Sequence, residues 1–152
     1  KFMANYNRTS AYWSQKINQP LFNTWSGFAY ERVCMQHIEQ IKQAIGISGI
    51  ASSVFSWQYT PKNGNEKGTQ IDMLIDREDR TINLCEIKYS QGEYEITEAY
   101  DKVLREKLSI FQQVTKTKKG VSLLMITSYG LKRNQWANNI HIQLTMDDLF
   151  AL

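Results

Sequence analysis

The chain is poor in several features that mark particular classes of protein. Among its 152 residues only Cys34 and Cys85 are cysteines, so neither a disulfide framework nor a zinc knuckle is expected. No apolar run approaches the roughly 20 residues of a membrane-spanning helix, and the first residues do not resemble a signal peptide. We therefore expect no membrane segment and a cytoplasmic location in which both cysteines are small buried hydrophobes.

An excess of one charge is also lacking. Lys and Arg number 18 against 15 Asp and Glu, and the net charge of +3 is low for a dedicated DNA-binding domain. The basic residues are unevenly placed, however, because they concentrate in the second half of the chain. Those that could follow a phosphate backbone are Lys102, Arg105, Lys116, Lys118 and Lys119. A solvated surface is the simpler interpretation of the same residues.

What is present is an ordinary folded composition. With 42% hydrophobic and 22% charged residues, the chain is long enough for one domain with a buried core. Residues 1–22 are rich in aromatic side chains but show no clear periodicity, and we interpret them as a lead-in that is the remainder of a larger protein. The domain itself is expected to occupy residues 23–152.

Periodicity predicts the order of the elements. Apolar side chains at three- and four-residue steps predict one amphipathic helix over 26–45. Three extended runs follow, at 47–59, 69–77 and 81–89. Asn63-Gly64 is expected to form a tight turn with positive φ after the first of these runs.

The second half alternates helices and strands. Thr97 is expected to cap a long amphipathic helix, and the apolar run 121–127 predicts a strand buried on both faces. A short helix, a strand over 140–144 and a final turn complete the chain. The predicted order α-β-β-β-α-β-α-β is an α/β fold with a mixed central sheet flanked by helices.

Two predicted strands carry the residues that could take part in catalysis or metal binding. Residues two apart in a strand share a face, so Glu86 and Lys88 point one way and Cys85 the other. If the turn 78–80 has three residues, paired residue numbers sum to 158 and Asp72 lies opposite Glu86. A turn of even length would instead put the two acids on opposite faces unless a bulge intervened.

Two neighbouring carboxylates require a positive partner. At about 4 Å they repel by roughly 4 kcal/mol at an effective dielectric of 20, so a cation must accompany the ionised pair. Oxygen ligands without nearby His or Cys favour Mg²⁺ or Mn²⁺. A lysine beside that cation stabilises the charge that builds on a phosphate under attack. The pattern therefore predicts metal-assisted hydrolysis of a phosphodiester.

The element order, the Asp on the second strand and the Glu-x-Lys on the third resemble the PD-(D/E)XK nuclease superfamily and its αβββαβ core. The segments 25–31, 68–77, 82–88, 126–131 and 147–150 look like the C-terminal nuclease-like domain of prokaryotic AAA-type ATPases. The resemblance implies a restriction-endonuclease-like fold and a Mg²⁺-dependent endonuclease, with DNA as the expected nucleic acid. It also implies an ATPase module as a partner in the same polypeptide.

The same resemblance assigns roles to single residues. It makes Asp72 and Glu86 the metal ligands, Lys88 the catalytic lysine, and Glu31 an additional acidic residue of the site. The chain departs from the pattern at Ile71, where the superfamily name has Pro.

Two further residues are candidates for the surroundings of the site. Gln70 shares a strand face with Asp72 if the strand alternates regularly, and Lys107 lies on the inner edge of the second long helix. A lysine whose stem covers apolar neighbours is the alternative for Lys107. The alternative for the whole chain is a catalytically idle nuclease-fold module that binds DNA or regulates the ATPase.

Overall fold

The computed structural model describes residues 20–151 as helices on both faces of one sheet. The helices are α1 (Pro20–Gln36), α2 (Ile38–Ala44), α3 (Glu98–Thr115) and the short α4 (Met146–Leu149), with a 3₁₀ turn at Ala137–Asn139. The strands are β1 (Ser52–Tyr59), β2 (Thr69–Arg77), β3 (Thr81–Lys88), β4 (Gly120–Thr127) and β5 (Ile142–Thr145).

The five strands follow one another in the sheet in chain order. β1, β2 and β3 are antiparallel, whereas β3, β4 and β5 are parallel. Helix α3 makes the crossover from β3 to β4, and Thr97 caps it by accepting a hydrogen bond from the Tyr100 N–H. The structure therefore confirms the predicted α/β class with a mixed sheet.

The side chains of β3 alternate between two apolar layers. Cys85 and Ile87 pack with α1 and α2 on one face, whereas Leu84 packs against Phe111 of α3 on the other. Both cysteines are free and buried, as expected from the sequence. Glu86 and Lys88 consequently face the α3 side.

The hairpin between β2 and β3 has the predicted register. Its turn consists of residues 78–80, and Arg80 adopts a positive φ of 67°. The pairs from Asp76 with Ile82 to Met73 with Cys85 all sum to 158. The ladder ends at that last pair, one position before Asp72 and Glu86.

A β-bulge interrupts β2 just beyond this point. Between Ile71 and Leu74 the strand has two residues, Asp72 and Met73, where β1 has only Ser56. As a result Ile71 and Leu74, although three residues apart, belong to the same apolar cluster on the α3 face. The bulge gives Asp72 an orientation that regular alternation does not predict.

The single helix predicted over 26–45 is wrong, because the structure has a break at His37. The His37 Nδ1 lies 2.7 Å from the Val33 carbonyl oxygen, the acceptor that a regular helix offers to the His37 N–H. That N–H donates instead to Cys34, and the imidazole packs on Phe150.

The predicted tight turn at Asn63-Gly64 is also wrong. Strands β1 and β2 are joined by the nine-residue loop 60–68, and neither residue has a positive φ. Gly68 is the constrained position instead, because a Cβ there would lie 2.8 Å from the Tyr59 carbonyl oxygen.

Two predictions concern residues at the start of the chain. The short helix expected near residues 10–17 lies outside the described residues, and the domain boundary near residue 22 stays a prediction. Within residues 20–151 no helix is both long and apolar enough to cross a membrane.

Candidate active site

The candidate site lies at the carboxyl end of β3. Lys88 is the last residue of that strand, and the β2–β3 ladder has already ended beside it. Helix α1 contacts β3 from one face, and α3 reaches Glu86 from the other. This end of the strand is therefore where side chains from both helical layers and from β2 can meet.

Asp72 is tied to the neighbouring strand by its own carboxylate. Its Oδ2 accepts a hydrogen bond of 2.9 Å from the Ile87 N–H. A side-chain oxygen thus takes the place of a backbone partner where β2 leaves the ladder. The bond fixes one carboxylate oxygen of Asp72 next to the Glu-x-Lys segment.

Glu86 is almost fully buried, with 1% of its surface exposed. The Lys107 Nζ lies 2.9 Å from each of its carboxylate oxygens, and the Tyr100 hydroxyl donates to Oε2 at 3.3 Å. Lys107 and Tyr100 are seven residues apart on α3, which puts them two turns apart on the same side of the helix. Helix α3 therefore holds Glu86 at two points.

Lys88 projects toward the same tyrosine. Its Nζ lies 5.3 Å from the centroid of the Tyr100 ring, within the range of a cation–π contact. Tyr100 therefore contacts both residues of the Glu-x-Lys pair. Tyr100 is not singled out by the sequence pattern because it fits the apolar stripe of the helix, although its seven-residue spacing to Lys107 puts both on one side of α3.

Glu31 extends the acidic cluster from α1. Burial and the Asp72 carboxylate raise the pKa of Glu31, whereas Lys88 and Lys107 oppose that rise. The pKa of Glu86 is raised in the same way by burial and by Asp72, against the opposing effect of Lys107. Glu31 and Glu86 are thus each influenced by Asp72, Lys88 and Lys107 at one end of β3.

The donor set suits a hard divalent cation, which the two candidate ligands would hold. Asp72 and Glu86 offer oxygens only, and burial together with the Asp72 carboxylate raises the pKa of Glu86. Within residues 20–151 no three His, Cys, Asp or Glu side chains are arranged as a metal-binding group. Lys107 engages both oxygens of Glu86, so a cation would have to take its place there.

Gln70 lies apart from these contacts. It pairs with Gln58, its side chain is exposed, and it makes no hydrogen bond to Asp72 or Glu86 in the described part of the chain. The bulge interrupts the alternation from which a shared face with Asp72 was expected. No contact in the structure connects Gln70 with the ligands.

The candidate nucleic-acid residues divide into two groups. Three of them have an acidic partner: Lys102 pairs with Glu98, Arg105 with Asp101, and Lys119 with Asp76. Lys116 and Lys118, in the turn after α3, form no ion pair among residues 20–151. The second group is therefore better placed to contact phosphates.

The fold and the site define an α/β protein with a carboxylate–lysine cluster at the end of a central strand. By sequence the chain belongs to the DUF234 family, archaeal and bacterial proteins of unknown function, whose family model matches residues 2–102. That match includes Glu31, Asp72, Glu86 and Lys88, and it ends before Lys107.

A solved structure shares the fold. The crystal structure of a protein of unknown function, AF1548, superposes with a TM-score of 0.50 at 11% sequence identity. The alignment covers 79% of this chain and 64% of the other, so this chain spans less than two thirds of that protein. A comparison with curated proteins found no match.

Proposed function

We propose that the chain is a metal-dependent nuclease domain of the PD-(D/E)XK type that hydrolyses phosphodiester bonds, with DNA as the expected substrate. The observation that supports this most strongly is the meeting of Glu31, Asp72, Glu86 and Lys88 at one end of β3. These residues come from three separate elements, and the influence of Asp72 on both Glu31 and Glu86, beside two lysines, is typical of a functional site.

Each residue has a role in the proposed reaction. Asp72 and Glu86 would hold Mg²⁺ or Mn²⁺, which when bound activates water and stabilises charge on the phosphate. The Ile87 N–H keeps Asp72 Oδ2 in position, so the carboxylate is oriented before a ligand arrives. Lys88 would stabilise the negative charge on the phosphate oxygens, and Glu31 would add negative charge that attracts the cation.

We also propose that the domain is the C-terminal part of an AAA-type ATPase. The support is the resemblance of its sequence segments, among them 68–77 and 82–88, to that group of domains. The ATPase module would then be the partner within the same polypeptide. Recovery of a longer native chain that carries ATP-dependent activity, with cleavage altered by ATP, would support the proposal.

A plasmid-nicking assay tests the nuclease activity. Purified protein is incubated with supercoiled DNA and Mg²⁺ or Mn²⁺, and nicked product is quantified. Asp72→Ala and Lys88→Ala should each reduce the rate by at least about 100-fold, because each removes a group that acts on the reacting phosphate. Glu98→Ala is the matched control, since Glu98 pairs only with Lys102 on the exposed side of α3. Equal activity in the wild type and both site variants would contradict the mechanism.

A second candidate function is a catalytically idle module that binds DNA or regulates the ATPase. The bidentate contact between Lys107 and Glu86 favours it, because an ammonium group fills the position that a cation needs. DNA binding in a gel-shift assay, without cleavage under any divalent cation, would support this function over the nuclease.

A further inference from the structure

The contact between Lys107 and Glu86 has a specific geometry. The Nζ lies 2.9 Å from both carboxylate oxygens, which places the ammonium on the bisector of the carboxylate. A divalent cation shared by Asp72 and Glu86 would bind a Glu86 oxygen at about 2.0–2.3 Å. Because the ammonium already engages both Glu86 oxygens, the cation would compete with it for that carboxylate.

The side chain of Lys107 is able to move away from this position. It is 17% exposed, whereas Glu86 is 1% exposed, so the lysine lies at the mouth of the contact and the glutamate lies inside. A lysine has a flexible four-carbon stem and a compact ammonium group, so it can move away without the rigid planar geometry of an arginine. Glu86 would keep the hydroxyl of Tyr100 as its second partner on α3 when the lysine moves.

The charges around Glu86 favour replacement of the Lys107 ammonium by a divalent cation. Asp72 acts on both Glu31 and Glu86, and the two lysines, Lys88 and Lys107, leave the three carboxylates with a net negative charge. A divalent cation would compensate that charge more fully.

We propose that Lys107 is an exchangeable counter-ion of Glu86: it positions the carboxylate while no metal is bound, and a divalent cation displaces it. This inference rests on the proposed function and deepens it, because it makes Lys107 a competitor of the metal. Metal binding then releases a mobile ammonium at the edge of the site.

Lysine acylation of the wild-type protein tests the displacement directly. Modification by an amine-reactive reagent is followed by mass spectrometry, with and without saturating Mn²⁺, in the absence of nucleic acid. Lys107 should react several-fold faster when Mn²⁺ is present, because its amine is then no longer held by Glu86. Lys102, which pairs with exposed Glu98 on the same helix, is the internal control and should react at one rate throughout.

Calorimetric titration of Mn²⁺ provides the second readout. Lys107→Met removes the competitor and should lower the Kd at least about threefold relative to the wild type, whereas Lys102→Met should stay within about twofold. Circular dichroism establishes that each variant is folded. If Lys107→Met does not fold, the acylation experiment on the wild type still tests the proposal.

The outcomes separate the two proposals. Faster acylation of Lys107 with Mn²⁺ supports the exchange. Mn²⁺ binding that leaves the acylation rate of Lys107 unchanged and is no tighter in Lys107→Met overturns the exchange but leaves the metal site. Absence of Mn²⁺ binding in both the wild type and Lys107→Met overturns the exchange and the metal-dependent function together.

Discussion

The environment of Glu86 lowers the stability of the folded protein and suits the proposed chemistry. A buried carboxylate beside a second acid raises the free energy of the folded state unless positive charge compensates it. Lys107 supplies one positive charge by direct hydrogen bonds, and Lys88 lies farther away over the ring of Tyr100. Such residual repulsion between acids is typical of functional sites rather than of structural ion pairs.

Asp72→Asn should therefore stabilise the protein in the absence of metal. Burial is the main cause of the raised pKa of Glu31 and Glu86, and the substitution removes the second cause, the Asp72 charge, while its amide oxygen can still accept the Ile87 N–H. We expect a gain of about 0.5–2 kcal/mol in the free energy of unfolding. Urea denaturation in EDTA measures it.

If Mn²⁺ binds as proposed, it should stabilise the wild type but not this variant, because one proposed ligand has lost its charge. Asp79→Asn is the control, since Asp79 is exposed and forms its ion pair with Arg77 in the hairpin turn. A clear loss of metal-free stability in Asp72→Asn would contradict the proposed repulsion.

Glu31 provides a pH-dependent prediction. Its pKa in the folded protein is raised above the ordinary value of 4.5, so the folded state binds the proton more tightly than the unfolded state. This contribution to stability is present at low pH and is lost as the pH rises from 4.5 through the raised value. Glu31→Gln cannot ionise, so its stability relative to the wild type should improve between about pH 4 and about pH 7. An unchanged difference at the two pH values in metal-free urea titrations would contradict this.

At the scale of elements, the β2–β3 hairpin is the part that sequence predicts best. The alternation of apolar residues and a three-residue turn together determine the register, and the structure has that register from Met73 to Asp76. The bulge at Asp72 was not predictable in the same way. It arises from the pairing of β2 with β1, which is a contact between strands and has no signal in the alternation of β2 alone.

The first helix shows the same limit. Its apolar periodicity continues past His37, so pattern alone favours one helix, yet the imidazole takes a backbone position beside the Val33 carbonyl and packs on Phe150. Phe150 is more than 100 residues away in sequence. A break that depends on so distant a contact cannot be derived from local propensity.

The hairpin turn itself can be tested by a substitution. Arg80 adopts a positive φ of 67°, which costs about 1–2 kcal/mol for an L-residue, more than the entropy that glycine loses on folding. Arg80→Gly should therefore raise the free energy of unfolding by about 0.5–1 kcal/mol. Glu78→Gly, in the same turn, has no positive φ to relieve and should lower it. Urea denaturation that shows Arg80→Gly to be less stable than Glu78→Gly would contradict the turn geometry.

Over the whole molecule, the net charge of +3 does not show which basic residues are available to DNA, because several of them pair with acidic residues. Lys102, Arg105 and Lys119 are held by acidic neighbours, so the proposed contact with DNA falls on Lys116 and Lys118. The fold is shared with a solved protein at 11% sequence identity, which says nothing of this basic surface.

The proposed DNA contact predicts a specific dependence on salt. Replacing both Lys116 and Lys118 by Ala should weaken DNA binding and reduce the slope of log K against log salt by about 2, because each phosphate contact releases about 0.9 counterion. Lys102→Ala should change the slope less, since Glu98 already compensates its charge. Fluorescence anisotropy without divalent cations measures both slopes. Equal slopes for the wild type and the double variant would show that these lysines do not contact the DNA phosphates.

A crystal structure with Mn²⁺, located by its anomalous scattering, would show whether the carboxylates hold a metal. We expect an anomalous peak between the carboxylates of Asp72 and Glu86, at about 2.0–2.3 Å from an oxygen of each, with the Lys107 ammonium withdrawn from Glu86. Saturating Mn²⁺ that leaves no peak there, with Lys107 still on both oxygens of Glu86, would contradict the assignment of these residues as a metal-dependent site.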